Sequence, residues 1–459
     1  MAKSVDVTVK MFQVGELGDC FLLTFNDKKN KSNVLIDCGT FRNSQSSKDR
    51  LEEIVTYIKS EVNGHLDVVI GTHQHNDHMS GFCHCEEHFQ DSVSQVWLSW
   101  LDDPRDAFAR QIRRDEKKLT DKVQAIGLKL HALNKTEHAN RLHDMLGFYS
   151  VDDSPGVPAR GIEVLKKVGK KKPEYLSPGQ IKSLPGIDEE SVKVYVLGPP
   201  RRRDQLFSKD PDKTQSYDPH LALANGNASR MLSALDNQNE GTFNRAEDQF
   251  PFNQTFKKKR SEIDPEILAA YDHRDSKWRK IDDDWLGSAA RLGIYLDSYT
   301  NNSSLVLAFE LVRSGKVLLF AADAQTGNWV SWEHIKWADA PHFNTYQLLQ
   351  NTVLYKVGHH GSHNATLVKA LEAMEHPELV AMIPVDKTDS NITKPNGWKM
   401  PAKNLYRRLK EKTNHRVLRM DYGYDPDCSP TGKNKNSWRG LVKPKIDKTN
   451  KYIEYTIQG

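Results

Sequence analysis

The chain lacks what would staple it from outside or hold it in a membrane. Five cysteines occur in 459 residues, Cys20, Cys38, Cys83, Cys85 and Cys428, an odd and scattered set. Such a set argues against a disulfide framework and for a reducing compartment. No apolar run approaches the roughly 18 residues that a membrane span needs. The opening Met1-Ala-Lys-Ser-Val-Asp has no hydrophobic stretch of the kind a secretory signal carries, so a soluble, cytoplasmic protein is expected. Net charge is only +4. That sum does not announce a polyanion partner, and any nucleic-acid contact must come from local patches. Nucleophile signatures are missing as well: there is no G-x-S-x-G elbow, no G-K-[ST] phosphate loop, and no Cys beside a His in a recognised pattern.

What is present is the patterning of an α/β fold. Val7 to Phe12, Cys20 to Phe25 and Val34 to Asp37 read as a meander, with turn signals at Gly15, Gly18, Asn26-Asp27 and Gly39. Leu51, Ile54, Val55 and Ile58 mark a helix over Ser47 to Val62, followed by a strand at Leu66 to Ile70 and another around Val96 and Trp97. From about Asp102 to Arg291 the texture changes. Charged helical segments (Asp106 to Leu146) alternate with basic runs at Lys166-Lys167, Lys170 to Lys172, Arg201 to Arg203 and Lys257 to Arg260. Acidic residues are interleaved, so most of these runs read as solvated faces. Val192 to Leu197 reads as a strand returning to the core, and Asn237 to Asn253 has the low apolar content of a mobile loop. Alternation resumes at Ser304 to Leu311 and Lys316 to Ala322. Further strands are expected at Val353 to Val357 and Leu379 to Val385, a helix at Ala402 to Lys412, and a last core strand at Arg416 to Met420. The division this suggests is a core of residues 1–101 and 292–459 interrupted by an insertion or cap over 102–291.

The densest chemistry follows the strand at Leu66. His73, Gln74, His75, Asn76, Asp77 and His78 spell H-x-H-x-D-H. A lone loop His is most often solvated or hydrogen-bonded, but three His and an Asp at this spacing seldom arise by chance. A strand running into a tight loop fans out alternate side chains. His73 and His75 can then share one cation while Asp77 and His78 reach a second. Imidazole and carboxylate suit zinc and tolerate manganese or iron. His65 is read as an ordinary surface histidine, and Cys83-His84-Cys85 as packing, since no second pair completes a four-ligand site. Asp323 ends the strand Val317 to Ala322, where it can bridge two cations or, more plainly, cap the next helix.

With these residues in place the chain resembles the metallo-β-lactamase superfamily, and within it the DNA-internalisation (ComEC-type) branch. The motifs that carry the resemblance are Val14-Gly15-Glu16-Leu17-Gly18-Asp19, Ile36-Asp37-Cys38-Gly39, the hexapeptide with Gly81 after it, and Asn301 or Asn302 before Ser304-Leu305-Val306-Leu307. Asp323 and Tyr355-Lys356-Val357-Gly358-His359-His360-Gly361-Ser362 complete the set, which covers about residues 5 to 100 and 300 to 423. The resemblance implies a four-layer αβ/βα sandwich with metals at one edge of the sheets. Carried over, His73 and His75 bind a first metal, Asp77 and His78 a second, and Asp323 bridges. His359 and His360 enter from the opposite side, and either can complete a metal shell or lie against phosphate. Ser362 and His363 are assigned to stabilising the loop.

Two departures stand out. Many relatives add a His between the hexapeptide and the bridging Asp, and nothing singles out His131, His138, His143, His220 or His273 for that place. Where the branch carries an N-x-x-x-H-P-like motif, this chain has Asn396-Gly397-Trp398-Lys399-Met400-Pro401, putting a thioether, a poor ligand for hard divalent ions, in the place of a His. The expected activity is hydrolysis with two divalent ions, Asp77 orienting water, and His359 or His360 stabilising the oxyanion or protonating the leaving group. The expected substrate is a phosphodiester of DNA, RNA or a nucleotide. Other esters, thioesters or lactones are the alternative on the same scaffold. The rival from another class is a noncatalytic, metal-stabilised binding protein working through the insertion, including the region of Trp278 and Trp285.

Overall fold

The computed structural model describes residues 3–149, 156–206, 228, 231–232, 258–279, 287–395, 397–421, 423–424, 429–449 and 451–459. Residues 237–253, His220, Trp285, Asn396 and Cys428 lie outside them, as does the side chain of Trp278. The chain divides into two units. The first comprises Met1–Arg113, Gly147–Asp218 and Ser298–Gly459, and the second Arg114–Leu146 and Pro219–Asp297.

The first unit is α/β. Its strands in chain order are β1 (Asp6–Phe12), β2 (Cys20–Asn26), β3 (Lys31–Cys38), β4 (Leu66–Ile70), β5 (Val93–Ser99), β6 (Glu174–Leu176), β7 (Ile181–Ser183) and β8 (Val192–Gly198). Then come β9 (Val306–Leu311), β10 (Lys316–Phe320), β11 (Thr352–Lys356), β12 (Val380–Ile383), β13 (Val417–Arg419), β14 (Gly423–Tyr424), β15 (Lys445–Asp447) and β16 (Tyr452–Ile457). They form two eight-stranded mixed sheets, ordered β15-β16-β1-β2-β3-β4-β5-β6 and β14-β13-β12-β11-β10-β9-β8-β7. Between them lies one apolar core, in which Phe21 meets Phe320 edge-on at 5.6 Å and Phe25 meets Phe309 at 5.6 Å. Outside the first sheet packs helix α1 (Gln45–Glu61). Ser44 caps it by accepting from Ser47 N, and its stripe Leu51, Ile54, Val55 and Ile58 is buried. Against the second sheet pack Trp329, Trp332, Leu348, Leu349, Leu371 and Leu409.

Three expectations need correction. Arg416 to Met420 is not the last core strand, because β15 and β16 return the chain to the first sheet, where β16 pairs with β1 from Val7–Ile457 to Phe12–Tyr452. Residues 102–291 are not one continuous insertion: β6 extends the first sheet, while β7 and β8 extend the second. The helix Val157–Val168 belongs to the core as well. Its Leu165 is packed so closely on Gly71, at the exit of β4, that a Cβ there would meet Leu165 Cδ1 at 2.7 Å. The periodicity of that helix is short and lies amid lysines, which hid it among solvated segments.

The described part of the second unit is helical. It includes most of the helix Ala107–Ala132, the helix Thr136–Leu146 and the helix Pro265–Asp272. Leu119, Val123, Ile126 and Leu130 form the buried stripe expected of an amphipathic helix. Among the described residues no helix is long and apolar enough to cross a membrane. Cys20, Cys38, Cys83 and Cys85 are free, buried thiols.

Candidate metal centre

The chemistry-bearing residues of the first unit gather at the carboxyl ends of its parallel strands, where open α/β sheets place their ligands. β3, β4 and β5 are mutually parallel, as are β10, β11 and β12. β3 ends in Asp37-Cys38, β4 runs into the hexapeptide, β10 into Asp323, and β11 into Lys356 and the His359-His360 turn. The hexapeptide is not all loop, as had been expected. His75 caps a helix, α2 (Asn76–His84), so Asp77 and His78 sit on its first turn. Gly39 allows this start: a Cβ there would lie 2.5 Å from the backbone carbon of Asp77. Backbone in the left-handed region clusters here too, at Asp37 (φ 55°), Ala322 (φ 47°), His359 (φ 42°) and His360 (φ 52°). Non-glycine residues hold such angles where the surroundings over-determine them, which is common at functional sites.

Every ring and carboxylate of the cluster is buried, with His75, Asp77, His78, Asp323 and His360 at 0% exposure. His78 Nδ1 donates to Asp37 Oδ2 (2.7 Å), and His360 Nδ1 donates to the Pro384 carbonyl (2.6 Å). Each ring therefore turns Nε2 toward the centre. His78 Nε2 lies 3.2 Å from Asp323 Oδ2 and 3.6 Å from Asp77 Oδ2, while His360 Nε2 is 2.8 Å from Asp77 Oδ2 and 3.9 Å from Asp323 Oδ2. His78 Nε2, Asp77 Oδ1 and Asp323 Oδ2 have no hydrogen-bond partner among the described residues. Buried polar atoms without partners are costly, and convergent ones on imidazole and carboxylate are what a cation satisfies. Asp19, His78, Asp323 and His360 form a buried group that can hold a metal ion.

Asp19 belongs to a motif that carries the resemblance, where the sequence assigns it no role. Its position is fixed by its own N–H to the Asp77 carbonyl (2.9 Å) and by its carbonyl accepting from Gly39 N (3.0 Å). Its carboxylate lies behind the rings, 3.8 Å from His78 Nδ1 and 3.9 Å from His360 Nδ1, and pairs with the Lys356 ammonium. Lys356, also 3.5 Å from Asp323 Oδ1, balances buried negative charge from beneath. Asp323 does not cap the following helix, whose N-cap is Gln325. Its Oδ1 accepts from His359 N (3.0 Å), and its own N–H is held by Ser304 Oγ (3.2 Å).

His73 and His75 stand beside this group as a separate pair. Thr72 Oγ1 donates to Asp37 Oδ2 (2.7 Å), so it accepts from His73 Nδ1 (3.1 Å) and leaves His73 Nε2 facing His75 Nδ1 at 3.2 Å. His75 Nε2 is buried without a hydrogen-bond partner among the described residues. The His75 ring is walled by Phe148 (5.1 Å) and Tyr149 (5.0 Å), and Trp398 stacks on Phe148 at 5.3 Å and 17°. His359 Nδ1 accepts from Gln325 Nε2 (3.3 Å), so that nitrogen is engaged outside the group that His360 joins.

The pair and the group differ in charge. Burial, followed by the neighbouring imidazoles, holds His73 well below the usual histidine value. Burial likewise drives His75 down to about 3 and His359 to about 4. Burial pushes His78 the same way, but Asp323, Asp77, Asp19 and Asp37 outweigh it and hold His78 well above the ordinary value. His360 is raised against burial by its bond to Asp77 and by Asp323. Asp323 and Asp77 are lowered despite burial, chiefly by His78.

The remaining candidates lie elsewhere. Met400 is half-buried and packs among apolar side chains, and Pro401 lies beneath Gly361, whose added Cβ would meet it at 2.8 Å. Ser362 bonds Asn364 (3.0 Å), and His363 is exposed. His131, His143 and His273 are exposed and His138 half-buried, all in the second unit. His65 bonds Asp67 (3.3 Å), and His84 bonds Asn43 (2.7 Å). No protein-family model matches the chain, and no curated protein is significantly similar to it.

Proposed function

We propose that the chain is a metal-dependent hydrolase of the metallo-β-lactamase fold and superfamily, closest to its DNA-internalisation branch, that acts on a phosphodiester. One observation carries this reading: Nε2 of His78 and His360 and the carboxylates of Asp77 and Asp323, from α2 and from the exits of β10 and β11, converge with unpartnered buried atoms. These four would hold one divalent cation. His73 and His75 would hold a second, since two imidazoles on a tetrahedral zinc at 2.0–2.1 Å stand about 3.3 Å apart, and His73 Nε2 and His75 Nδ1 are 3.2 Å apart. Zinc fits the donors best and manganese is the next fit. The Nδ1 partners Asp37, Pro384 and Thr72 orient the rings as outer partners of metal-bound histidines do.

When bound, divalent cations supply electrophilic pull on a phosphoryl oxygen and make water nucleophilic at neutral pH. The residues do the rest. Asp77, kept ionised by His78 and His360, has a free Oδ1 to accept a proton from attacking water. His359 stays neutral. Gln325 occupies its Nδ1, so its Nε2–H is the donor for a phosphoryl oxygen or leaving group. The aromatic wall of Phe148, Tyr149 and Trp398 keeps bulk water from His75.

The test is purified protein loaded with Zn²⁺ or Mn²⁺ and offered bis(4-nitrophenyl) phosphate alongside carboxylic ester, thioester and lactone substrates. Phosphodiester turnover that disappears in Asp323→Asn, with metal content falling in step, supports the reading. Turnover of a carboxylic ester alone moves the chain to the other metallohydrolases. No turnover with stoichiometric metal favours a metal-stabilised binding protein, a reading to which the complete burial of the group lends support.

A further inference from the structure

Several basic residues between 102 and 291 are held in ion pairs where they are described. Arg105 pairs with Asp103, Arg201 with Asp106, Arg202 with Asp204 and Lys166 with Glu163. A different stretch behaves otherwise. Residues 386–412 carry eight Lys or Arg against three Asp or Glu, and the three acids are engaged: Asp386 accepts from Thr388, Asp389 caps Asn391, and Glu411 is held by Arg408. Lys399, Lys403 and Arg407 are exposed and have no hydrogen-bond or ion-pair partner among the described residues.

Their placement is ordered. Lys403 and Arg407 are four apart on the helix Lys403–Lys412, hence on one face and about 6 Å apart along its axis. Lys399 lies just before that helix. Leu409, on the opposite side of the helix, is buried, so the cationic face is the solvent face. The same segment borders the candidate centre. Trp398 is half-buried and stacks on Phe148, the ring that walls His75, and Ala402 N donates to the carbonyl of Gly361, next to His360 (2.7 Å).

We propose that Trp398, Lys399, Lys403 and Arg407 form a docking track for the backbone of a single-stranded polynucleotide leading to the candidate metal centre. The proposal rests on the phosphodiester reading and sharpens it from any diester to a strand. Three unpaired cations in series match successive phosphates, and cations beside a partly exposed aromatic ring are the combination that holds single strands, whose bases are free to stack. Unpaired Lys and Arg keep their full charge for a ligand, whereas the paired arginines must first give up an aspartate.

The experiment uses the full chain and a fluorescein-labelled 20-nucleotide oligo(dT). The triple variant Lys399→Gln/Lys403→Gln/Arg407→Gln should bind it about tenfold or more weakly. Its dependence of log affinity on log salt should be shallower by about 2, each single-strand phosphate contact contributing about 0.7. Turnover of bis(4-nitrophenyl) phosphate should be unchanged, and so should oligonucleotide binding by the control Arg105→Gln/Arg202→Gln. Equal binding by the triple variant and the unmodified chain overturns the track, as does an equal loss in the control. Association with phosphatidylserine vesicles but not with oligo(dT) overturns it in favour of a lipid surface. If oligo(dT) binds through the three cations while no phosphodiester is cleaved, the track stands and the hydrolase reading falls.

Discussion

The two halves of the histidine-rich cluster are neighbours with opposite electrostatics. His73 and His75 face each other at 3.2 Å with their pKa values pushed down by burial, whereas His78 and His360 sit among Asp19, Asp37, Asp77 and Asp323 with theirs pulled up. Residues of one hexapeptide thus end in different chemical states. The difference lies in what other segments deliver: Asp323, Lys356 and His360 arrive from the second sheet on the His78 side, and the aromatic rings of the turn Gly147–Tyr149 arrive on the His75 side. Ligand strength in such a cluster belongs to the neighbourhood more than to the residue type.

Breaking the carboxylate half should have the largest effect. Asp323→Asn keeps the shape but removes a charge, and phosphodiester turnover should fall roughly a hundred- to a thousandfold, with metal content by elemental analysis falling in step. Full turnover and full metal in this variant would falsify the assignment of the group. Next comes Asp37→Asn. Asp37 accepts from His78 Nδ1 and also from Thr72, which supports His73, so it serves both halves. Metal affinity should drop roughly 10- to 100-fold, measured by competition with a chelating dye, and an unchanged affinity would show that the halves are not coupled through this residue.

The third prediction concerns protons. His78 and His360 carry raised pKa values, so below those values a cation must displace their protons. Metal affinity should rise with pH until both rings are neutral. Titration calorimetry in two buffers of different ionisation enthalpy should report protons released near pH 7, and an enthalpy independent of buffer contradicts the scheme. The smallest effect is on the stability of metal-free protein. His75 and His359 stay neutral when folded, down to about 3 and about 4, while the unfolded chain takes up protons below about 6.5. Their contribution therefore weakens stability as pH falls from about 6.5 toward 4, while the raised His78 and His360 act in the opposite sense, strengthening the fold at low pH and losing that contribution as pH rises through their folded values. His75→Gln should flatten the acid-side loss in urea titrations at pH 7, 6 and 5, and a slope identical to that of the unmodified chain counts against a neutral buried His75.

Much of the first unit was legible because its strands and α1 announce themselves by period. Cys20 to Phe25, Leu66 to Ile70 and Lys316 to Phe320 are apolar runs bounded by turn residues, and α1 has a stripe at helical spacing. The missed elements are those whose patterns are brief or masked. β6, β7 and β15 are three residues each, the helix Val157–Val168 runs into lysines, and β16 finds its partner 440 residues and more away in β1. Among the site residues, Asp19, Asp37 and Lys356 stood in the motifs that carry the resemblance but had no role there. A charged Lys ending a fully buried strand was the available signal, since such a group needs a buried partner.

The order of residues alone determined which donors the chain possesses and that they sit at strand exits, because apolar period and turn chemistry are local properties. Only the tertiary structure decided that His78 and His360 share carboxylates, that His75 lies under aromatic rings, and that Lys399, Lys403 and Arg407 have no counter-charge among the described residues. Pairing, burial and the resulting shifts depend on segments hundreds of residues apart meeting in a medium of low polarity, and no local pattern encodes that meeting.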